Sequence, residues 1–463
     1  MKLTILGGGG FRVPLIHDAV VTNALAASGR PSIHISEIAL HDSSPERLSA
    51  IERILRQRTA ELPDPSTAPL VTTTTDVRHA LTGADFVFSA IRVGGSSGRA
   101  LDERVALDLG LLGQETIGPG GLAYALRTIP VMHDVARTIA EVAPNAWTIN
   151  FTNPAGIVTQ AMRQVLGDRV VGICDTPIGL VRRVSRLLGV SLEDDQDRVD
   201  YDYVGLNHMG WLRSVRIDGV ERLPGVLADD DALENIEEAR LIGKDWVRTI
   251  GVLPNEYLYY YWHTDEAIAN ILGSGQTRGE FLADEQEQFE KKMDCCTSPL
   301  DVWREALHER ESTYMAEARE GGDERRQEDI AGGGYQEVAL RLMTALATGS
   351  SERMILDVGN GSAGGLVVPE LPADLVVEVG CVVDGDGIHP MPVAPLGLGQ
   401  LGMMANLRAS EGAICEAALT GSVEKAWEGF ASHPLVNSPR LGKELLEGYR
   451  RAHPAIDALL SRP

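Results

Sequence analysis

A cysteine and a histidine each follow a strand-like segment of this chain and could share a metal ion. Cys174 lies in GICDTP (172–177) and His208 in GLNHM (205–209). Because both residues come at strand ends, their side chains could reach the same cleft and ligate a divalent cation. A thiolate is a soft ligand, which leaves the identity of the metal open. A lone cysteine and a lone histidine are also common as packed side chains, and spacing alone does not exclude that interpretation.

A run of four glycines separates the first apolar segment from the first helical pattern. Glycines at this place let the backbone approach a pyrophosphate, and an acid that ends the second strand can bind ribose hydroxyls. The candidate dinucleotide ligands are Gly7, Gly8, Gly9, Gly10 and Asp42. The run is not a strict G-x-G-x-x-G and the distance to the acid is longer than usual, so a tight turn in another α/β protein stays open.

Asparagine and arginine side chains indicate a candidate site for a polar or anionic ligand. Asn150 and Asn153 follow a strand in INFTNPAG (149–156), and both would project into the crevice above a parallel sheet. Ordinary turn chemistry before the proline is the alternative. Arg92 and Arg278 are candidate anion clamps, although an isolated arginine is more commonly a surface ion-pair residue.

Five aromatic residues are concentrated in PNEYLYYYW (254–262), in a chain that is only 5% aromatic. Such a cluster is typical of packing as much as of catalysis. A tyrosine from this run would become a useful base only where a cation or metal ion lowers its pKa from about 10.

The elements that carry these residues alternate between strands and helices over the first part of the chain. Strands are predicted at 2–6, 37–41, 70–74, 85–91, 147–151 and 169–173. With helices between them, they predict a Rossmann-like, doubly wound parallel sheet with right-handed crossovers. Beyond about residue 180 the pattern becomes mixed α/β and helix-rich, with strands at 200–204, 214–217 and 376–383. We therefore expect two domains, 1–180 and 181–463.

Composition excludes several classes of protein. The chain has 463 residues and a formal net charge of −24 at pH 7, a field that repels nucleic acid and anionic membranes. No stretch is apolar enough for a membrane span or a signal peptide, and five scattered cysteines do not make a disulfide framework. These features predict a cytoplasmic globular protein that binds neither nucleic acid nor a membrane.

Seven segments, taken in their order, resemble those of one enzyme family. They are GGGG (7–10), FVFSAIRVGG (86–95), LGLLGQETIGPGGL (109–122), INFTNPAG (149–156), GICDTP (172–177), YVGLNHMGW (203–211) and PNEYLYYYW (254–262). The series is similar to the NAD-dependent glycoside hydrolases of family 4, an exception to the two-carboxylate rule of glycoside hydrolysis. It is most similar to their 6-phospho-β-glucosidase branch, and the resemblance extends to at least residue 440.

The resemblance implies hydrolysis of 6-phospho-β-glucosides, such as cellobiose 6-phosphate, by a redox route. Hydride would pass from sugar C3 to NAD, a base would remove the C2 proton, and the C1 substituent would be eliminated. Water addition and return of the hydride would complete hydrolysis without net consumption of NAD. A divalent metal, commonly Mn²⁺ in the family, would stabilise the enolate.

The resemblance also assigns roles to residues and domains. Cys174 and His208 match the metal ligands, Tyr257 matches the C2 base, and Asp175 is the second catalytic residue. The implied substrate ligands are Arg92, Asn153, Asn207 and Arg278. Residues 1–180 would bind NAD, and residues 181–463 would carry the catalytic, metal-binding and oligomer contacts. Family members form homodimers or homotetramers, so a homo-oligomer is expected.

Two segments depart from the pattern of the β-branch. At Asp175 that branch usually has Asn, whereas Asp there is familiar from the 6-phospho-α-glucosidases, in which it is thought to help protonate the leaving group. The segment LDVGNG (356–361) replaces the family's N-T-R-N-N-G, and its missing arginine suggests altered substrate or oligomer contacts. The anomer is therefore open, with β favoured by residues 92–95, 207–209 and 252–254.

Three alternatives remain at this point. One is a 6-phospho-α-glucosidase of the same family. Another is an NAD-dependent 2-hydroxyacid dehydrogenase, which would share the first half of the fold but release NADH as a product. The third is a non-enzymatic NAD-sensing protein, which would tolerate loss of the Tyr257 hydroxyl and of the Cys174 thiol.

Overall fold

One sheet of thirteen strands runs through the computed structural model, which describes residues 1–25, 31–192, 195–315, 318, 334–362 and 364–461. The strands are β1 Lys2–Leu6, β2 Glu37–His41, β3 Leu70–Thr74, β4 Phe86–Ser89, β5 Trp147–Asn150, β6 Val170–Gly172, β7 Val199–Leu206, β8 Met209–Ile217, β9 Val220–Glu221, β10 Leu253–Pro254, β11 Glu352–Gly359, β12 Val376–Asp384 and β13 Gly387–Pro390.

Helices lie between and around these strands in the described residues. They are α1 Val13–Leu25, α2 Pro45–Ala60, α3 Val77–Leu81, α4 Gly95–Leu107, α5 Pro119–Val142, α6 Ala155–Leu166, α7 Thr176–Leu187, α8 Leu223–Ala228, α9 Asp230–Glu234, α10 Glu237–Ile242, α11 Lys244–Ile250, α12 Tyr259–Trp262, α13 Thr264–Gly273, α14 Arg278–Cys295, α15 Pro299–Ser312, α16 Tyr335–Thr348, α17 Leu398–Thr420, α18 Val423–Ser432, α19 Pro439–Ala452 and α20 Pro454–Leu460. Short 3₁₀ turns occupy Pro65–Thr67, Gly167–Arg169, Gln196–Arg198 and Glu256–Leu258.

The first six strands form the parallel half of the sheet. Their spatial order is β3-β2-β1-β4-β5-β6, and every neighbouring pair is parallel. Strands such as β4 are buried throughout because helices cover both faces of the sheet. This is the Rossmann order, and it confirms the predicted doubly wound sheet.

The remaining long strands extend the same sheet in antiparallel fashion. β11 joins β6 through the pair Asp357 and Gly172, and β12, β7, β8 and β10 follow outward. The mixed α/β region expected after residue 180 is therefore present, although β11 was not among the predicted strands. Because the sheet continues past residue 180, the division into residues 1–180 and 181–463 stays a prediction.

Two carboxyl groups are buried side by side where the antiparallel strands begin. Asp357 on β11 and Glu378 on β12 are register partners with 0% and 1% exposure. Neither carboxyl oxygen of Asp357 has a hydrogen-bond partner among the described residues. Burial raises the pKa of Asp357 to about 7 and raises that of Glu378 well above its ordinary value.

We expect Asp357→Asn to stabilise the protein at neutral and alkaline pH. The folded chain holds the Asp357 proton more tightly than the unfolded chain, so this group's contribution is complete below about pH 4 and is lost as the pH rises towards 7. The variant should gain about 1 to 4 kcal/mol in free energy of unfolding near pH 8 and little near pH 4. Urea unfolding at both pH values checks this, with the exposed Asp386→Asn as a control. An equal gain at both pH values would contradict the assignment.

Helix length and hydropathy give one further observation. Within the described ranges, no helix combines the length and apolar character that crossing a membrane requires.

Candidate active site

A cleft of about 1420 Å³ opens above the carboxyl ends of the parallel strands. It exceeds the 300 to 1,000 Å³ or so of a typical small-molecule pocket, which leaves room for a cofactor and a substrate together. Its walls include these predicted site residues: Gly7, Gly9, Gly10, Asp42, Arg92, Asn153, Cys174, Asp175, Asn207, His208, Tyr257 and Arg278. Gly8 is not part of the wall. It packs closely against β2, where a Cβ on Gly8 would collide with Leu40 and His41.

The glycine turn fits a dinucleotide. Gly7 has φ +85°, and a methyl group on it would lie 2.5 Å from the carbonyl oxygen of Ala90. Gly9 donates its N–H to Asp42 Oδ2 at 3.2 Å, and a Cβ there would lie 2.9 Å from the same oxygen. Glycine is therefore required sterically, and it leaves the backbone of the turn open to the cleft beside an acid at the end of β2.

Asp42 is held by other groups as well. Its Oδ1 accepts the backbone N–H of Ser44 at 3.0 Å and pairs with the Arg47 guanidinium at 2.6 Å. These bonds fix the carboxylate at the end of β2, where the sequence predicted a ribose ligand. Arg47 also lines the cleft.

Cys174 and His208 could supply two ligands to one metal ion. They are each 7% exposed, and Cys174 follows β6 while His208 lies in the two-residue turn between β7 and β8. The turn holds His208 at φ +65°, an uncommon value for a residue with a side chain. Its Nδ1 lies 3.1 Å from the Thr116 hydroxyl, which leaves Nε2 as the nitrogen that could ligate.

Protonation of the two side chains supports that interpretation. Burial lowers the pKa of His208 to about 4, so its imidazole is neutral, the form that binds metals. Burial and then the Asp175 carboxylate raise the pKa of the Cys174 thiol, so a thiolate there requires a cation. Within the described part of the chain, no three His, Cys, Asp or Glu side chains converge on one point. The remaining coordination positions would therefore fall to substrate or water.

Tyr257 stacks on His208 and begins a chain of hydrogen bonds. The two rings are 3.8 Å apart between centroids and inclined by 14°. The Tyr257 hydroxyl lies 2.9 Å from that of Tyr314, which in turn donates to Glu256 Oε1 at 2.8 Å. Burial, together with the Glu256 carboxylate, raises the pKa of Tyr257 well above its usual value. A nearby cation would offset that rise, as the sequence-based argument requires.

Asn255 connects the base to the metal ligand, and sequence reasoning missed it. Its Oδ1 accepts the backbone N–H of Tyr257 at 3.0 Å, and its Nδ2 donates to the Thr176 hydroxyl at 2.8 Å. That hydroxyl lies 3.4 Å from Cys174 Sγ. Asn255 is within the quoted aromatic run, but only its contacts distinguish it from its neighbours.

The structure separates the two asparagines that follow β5. Asn153 lines the cleft, as expected. Asn150 does not: it is fully buried, and its Nδ2 donates to the carbonyl oxygens of Thr152 and Ala155 and to the Thr159 hydroxyl. The expectation that both would project into the crevice is therefore wrong, because Asn150 satisfies buried turn and helix groups instead.

Arg92 already has a carboxylate partner. Its Nη2 pairs with Glu115 at 2.6 Å, and Arg99 Nη1 binds the same carboxylate at 2.9 Å. Burial by itself would raise the pKa of Glu115, but these two cations outweigh it and lower the pKa to about 2. Glu115 is part of the quoted LGQET motif, yet nothing in the spacing showed that it faces Arg92.

The other three predicted site residues also line the cleft. Asp175 immediately precedes α7, and Arg278 is the first residue of α14, which begins at the capping box of Thr277 and Glu280. Asn207 Nδ2 donates to Glu378 Oε1 at 3.4 Å, so one member of the buried carboxyl pair contacts the turn that carries His208.

Comparison with known proteins shows the family of this chain. A model described as family 4 glycosyl hydrolase matches residues 2–190, and one for the C-terminal domain of that family matches residues 203–436. The chain belongs to family 4 of the glycosyl hydrolases.

Some proteins similar to this chain are named as β-glucosidases and others as α-glucosidases. It is 31% identical over 465 residues to a probable 6-phospho-beta-glucosidase of Bacillus subtilis, covering 98% of this chain and 97% of that one. It is 29% identical over 433 residues to a maltose-6'-phosphate glucosidase of the same organism, covering 89% and 88%. A solved 6-phospho-alpha-glucosidase from gut microorganisms, in complex with NAD and Mn²⁺, is 27% identical with a TM-score of 0.77 over 98% of both chains.

Proposed function

We propose that this protein hydrolyses 6-phosphoglucosides, with a preference for the β anomer, and uses NAD and a divalent metal, Mn²⁺ in the first instance. The observation that carries the proposal is the stack of Tyr257 on His208, in one cleft with Cys174 and the glycine turn. A tyrosine hydroxyl beside two metal-ligating side chains suits removal of a weakly acidic carbon-bound proton.

In the proposed reaction, bound NAD and metal supply some of the chemistry and side chains of this protein supply the rest. NAD bound at the glycine turn would supply reversible oxidation at sugar C3, and a divalent metal held by Cys174 and His208 would supply positive charge for the sugar oxygens. Tyr257 would remove the C2 proton, and its bond to Tyr314 gives that proton a route towards Glu256.

The leaving group and the sugar need residues of their own. Asp175, at the cleft wall before α7, would protonate the departing oxygen. Asn153 and Asn207 offer uncharged donors and acceptors for the sugar hydroxyls. Arg92 and Arg278 are the phosphate ligands that the family resemblance suggests.

Preference for the β anomer rests on sequence similarity. Residues 92–95, 207–209 and 252–254 are more similar to the β-branch, and the relative at 31% identity over nearly the whole chain is named as a probable β-enzyme. Asp175 supports the opposite preference, so the anomer is the part of the proposal that an assay must decide.

Purified protein with NAD, Mn²⁺ and a thiol reductant provides the test. It should release p-nitrophenol from p-nitrophenyl 6-phospho-β-glucoside, more slowly from the 6-phospho-α-glucoside, and not from the unphosphorylated β-glucoside. Faster cleavage of the α anomer would overturn the anomeric preference. Release from the unphosphorylated glucoside alone would overturn the phosphate requirement.

A further inference from the structure

Each of the two proposed metal ligands has a threonine hydroxyl beside it. The Thr116 hydroxyl lies 3.1 Å from His208 Nδ1, and the Thr176 hydroxyl lies 3.4 Å from Cys174 Sγ. A hydroxyl can either donate or accept a hydrogen bond, so these two contacts have no direction by themselves. A side-chain amide next to each threonine determines that direction.

On the histidine side, the amide of Gln114 fixes the direction. Gln114 Oε1 accepts the backbone N–H groups of Thr116 and Ile117 at 2.6 and 2.7 Å, so the atom at that place must be the oxygen. The Thr116 hydroxyl donates to the same oxygen at 3.2 Å. The Thr116 oxygen is therefore left to accept, and the proton of the neutral imidazole is on His208 Nδ1. The lone pair is then on Nε2, the nitrogen that could bind a metal ion.

On the cysteine side, the amide of Asn255 fixes the opposite direction. Asn255 Oδ1 accepts the backbone N–H of Tyr257 at 3.0 Å, so Nδ2 is the atom that donates to the Thr176 hydroxyl at 2.8 Å. Because the Thr176 oxygen accepts that bond, its own hydrogen is free to point at Cys174 Sγ. A hydrogen-bond donor at the sulfur favours the thiolate, which is the form that ligates metals.

Both directions are the ones that metal binding requires. An imidazole must present an unprotonated nitrogen to a metal ion, and a cysteine must present a thiolate. One threonine accordingly accepts from its partner and the other donates, although the two residues are of the same type. Packing alone sets no such requirement, because a valine would fill the same space.

Asn255 can act on the site only through its neighbours. It is 2% exposed and is not part of the cleft wall, so a bound sugar would not touch it. Its Nδ2 also faces the Tyr203 hydroxyl at 3.5 Å, so both ends of the amide are engaged. One buried side chain therefore holds both the Thr176 hydroxyl and the backbone of Tyr257.

We propose that Thr116 and Thr176 are positioning residues, which hold the two metal-ligating side chains in the orientation that metal binding requires. Asn255 is a third positioning residue, because it orients Thr176. The inference rests on the proposed function, since it needs the metal ion that Cys174 and His208 would hold. Loss of such an outer partner weakens metal binding by about 10- to 100-fold in known sites.

Binding of Mn²⁺ to the NAD-loaded protein, followed by the electron paramagnetic resonance signal of free Mn²⁺, tests the proposal without turnover. Thr116→Val and Thr176→Val keep the shape of the side chain but lose the hydroxyl, and each should raise the Kd of Mn²⁺ about 10- to 100-fold. Thr116→Ser and Thr176→Ser keep the hydroxyl and should bind Mn²⁺ almost as wild type does. Rescue by serine distinguishes positioning from packing, because serine lacks the methyl group that packs.

Thr4→Val is the matched control. Thr4 is 0% exposed, its hydroxyl donates to the carbonyl oxygen of Ala80 at 2.8 Å, and it is not part of the cleft wall. This variant also loses a buried hydrogen bond, so its thermal unfolding should occur at a lower temperature than that of wild type. Its Kd for Mn²⁺ should nevertheless equal that of wild type.

Asn255→Ala tests the chain of hydrogen bonds in a double-mutant cycle. Alone, it should weaken Mn²⁺ binding, because the Thr176 hydroxyl loses the partner that orients it. It should also lower kcat at saturating Mn²⁺, because the backbone of Tyr257 loses its anchor. Added to Thr176→Val, it should change the Kd of Mn²⁺ by less than about twofold, since the hydroxyl through which it acts is already absent. Additive effects on the Kd would overturn the role of Asn255.

The other outcomes separate this inference from the proposed function. If both valine variants bind Mn²⁺ as wild type does while Cys174→Ser does not, the inference is overturned and the metal site stands. Equal losses in the serine and valine variants would assign the effect to the methyl group and would also overturn it. Should a valine variant not fold, alanine at the same position removes the same hydroxyl and repeats the measurement. If the wild-type protein itself does not bind Mn²⁺, the proposed function fails first.

Discussion

Tyr257→Phe should lower kcat by about 10² to 10⁴-fold while KM changes little. Phenylalanine keeps the ring that stacks on His208 at 3.8 Å and removes only the hydroxyl that contacts Tyr314. Sugar binding should therefore persist, whereas proton removal from C2 loses its base. Steady-state release of p-nitrophenol from the preferred phosphorylated glucoside measures the effect.

Tyr201→Phe is the matched control for that variant. Tyr201 is also a buried tyrosine, but its hydroxyl has no partner in the described residues and it is not part of the cleft wall. It should keep wild-type kcat. If Tyr257→Phe retained more than about half of wild-type kcat, the base would be another group.

Cys174→Ser should weaken Mn²⁺ binding by at least about 100-fold, the upper end of what loss of an outer-sphere partner costs a metal site. Serine is close in size to the thiol, but its hydroxyl is a poor ligand at neutral pH. Titration of Mn²⁺ into NAD-loaded protein, followed by the electron paramagnetic resonance signal of free Mn²⁺, measures the affinity. Activity at limiting Mn²⁺ should fall with it.

Cys295→Ser provides the comparison, because that thiol is exposed, lies at the last residue of α14 and is not part of the cleft wall. It should bind Mn²⁺ as wild type. Equal affinity in Cys174→Ser and wild type would remove Cys174 from the metal site and leave His208 without its predicted partner. A fall in thermal stability of Cys174→Ser measured without metal would instead indicate a packing role for the thiol.

The parallel half of the fold could be predicted because its signals are local. Apolar strands end at glycine or polar residues, and helices with their own periodicity follow at once, so each strand is visible in a short window. The same signals predicted the ends of β1, β2 and β6, where Gly7, Asp42 and Cys174 lie. The cleft follows from strand order alone.

Long-range partners could not be predicted in this way. β11 contains Asp357, which faces Gly172 almost two hundred positions earlier, and no local pattern indicates that pairing. Asn150 and Asn153 stand three positions apart in one motif, yet one is buried in turn bonds and the other lines the cleft. Whether an asparagine is buried or lines the cleft depends on its hydrogen-bond partners in the fold, which the residue type does not reveal.

The net charge of the chain also could not predict which arginines have carboxylate partners. A net charge of −24 describes the whole molecule and gave no reason to expect an anionic substrate. The two arginines chosen from the sequence have different surroundings: Arg92 is neutralised by Glu115, whereas Arg278 lies beside Arg310. Only the folded chain shows that Glu115 is the carboxylate partner of Arg92.

The central claim is that hydrolysis proceeds through removal of the C2 proton by Tyr257. The direct measurement uses p-nitrophenyl 6-phosphoglucoside deuterated at C2, in ordinary water with NAD and Mn²⁺. We predict that the glucose 6-phosphate released carries hydrogen at C2 in place of deuterium and that the label slows release of p-nitrophenol. Product that retains its deuterium, released at the unlabelled rate, would contradict the account.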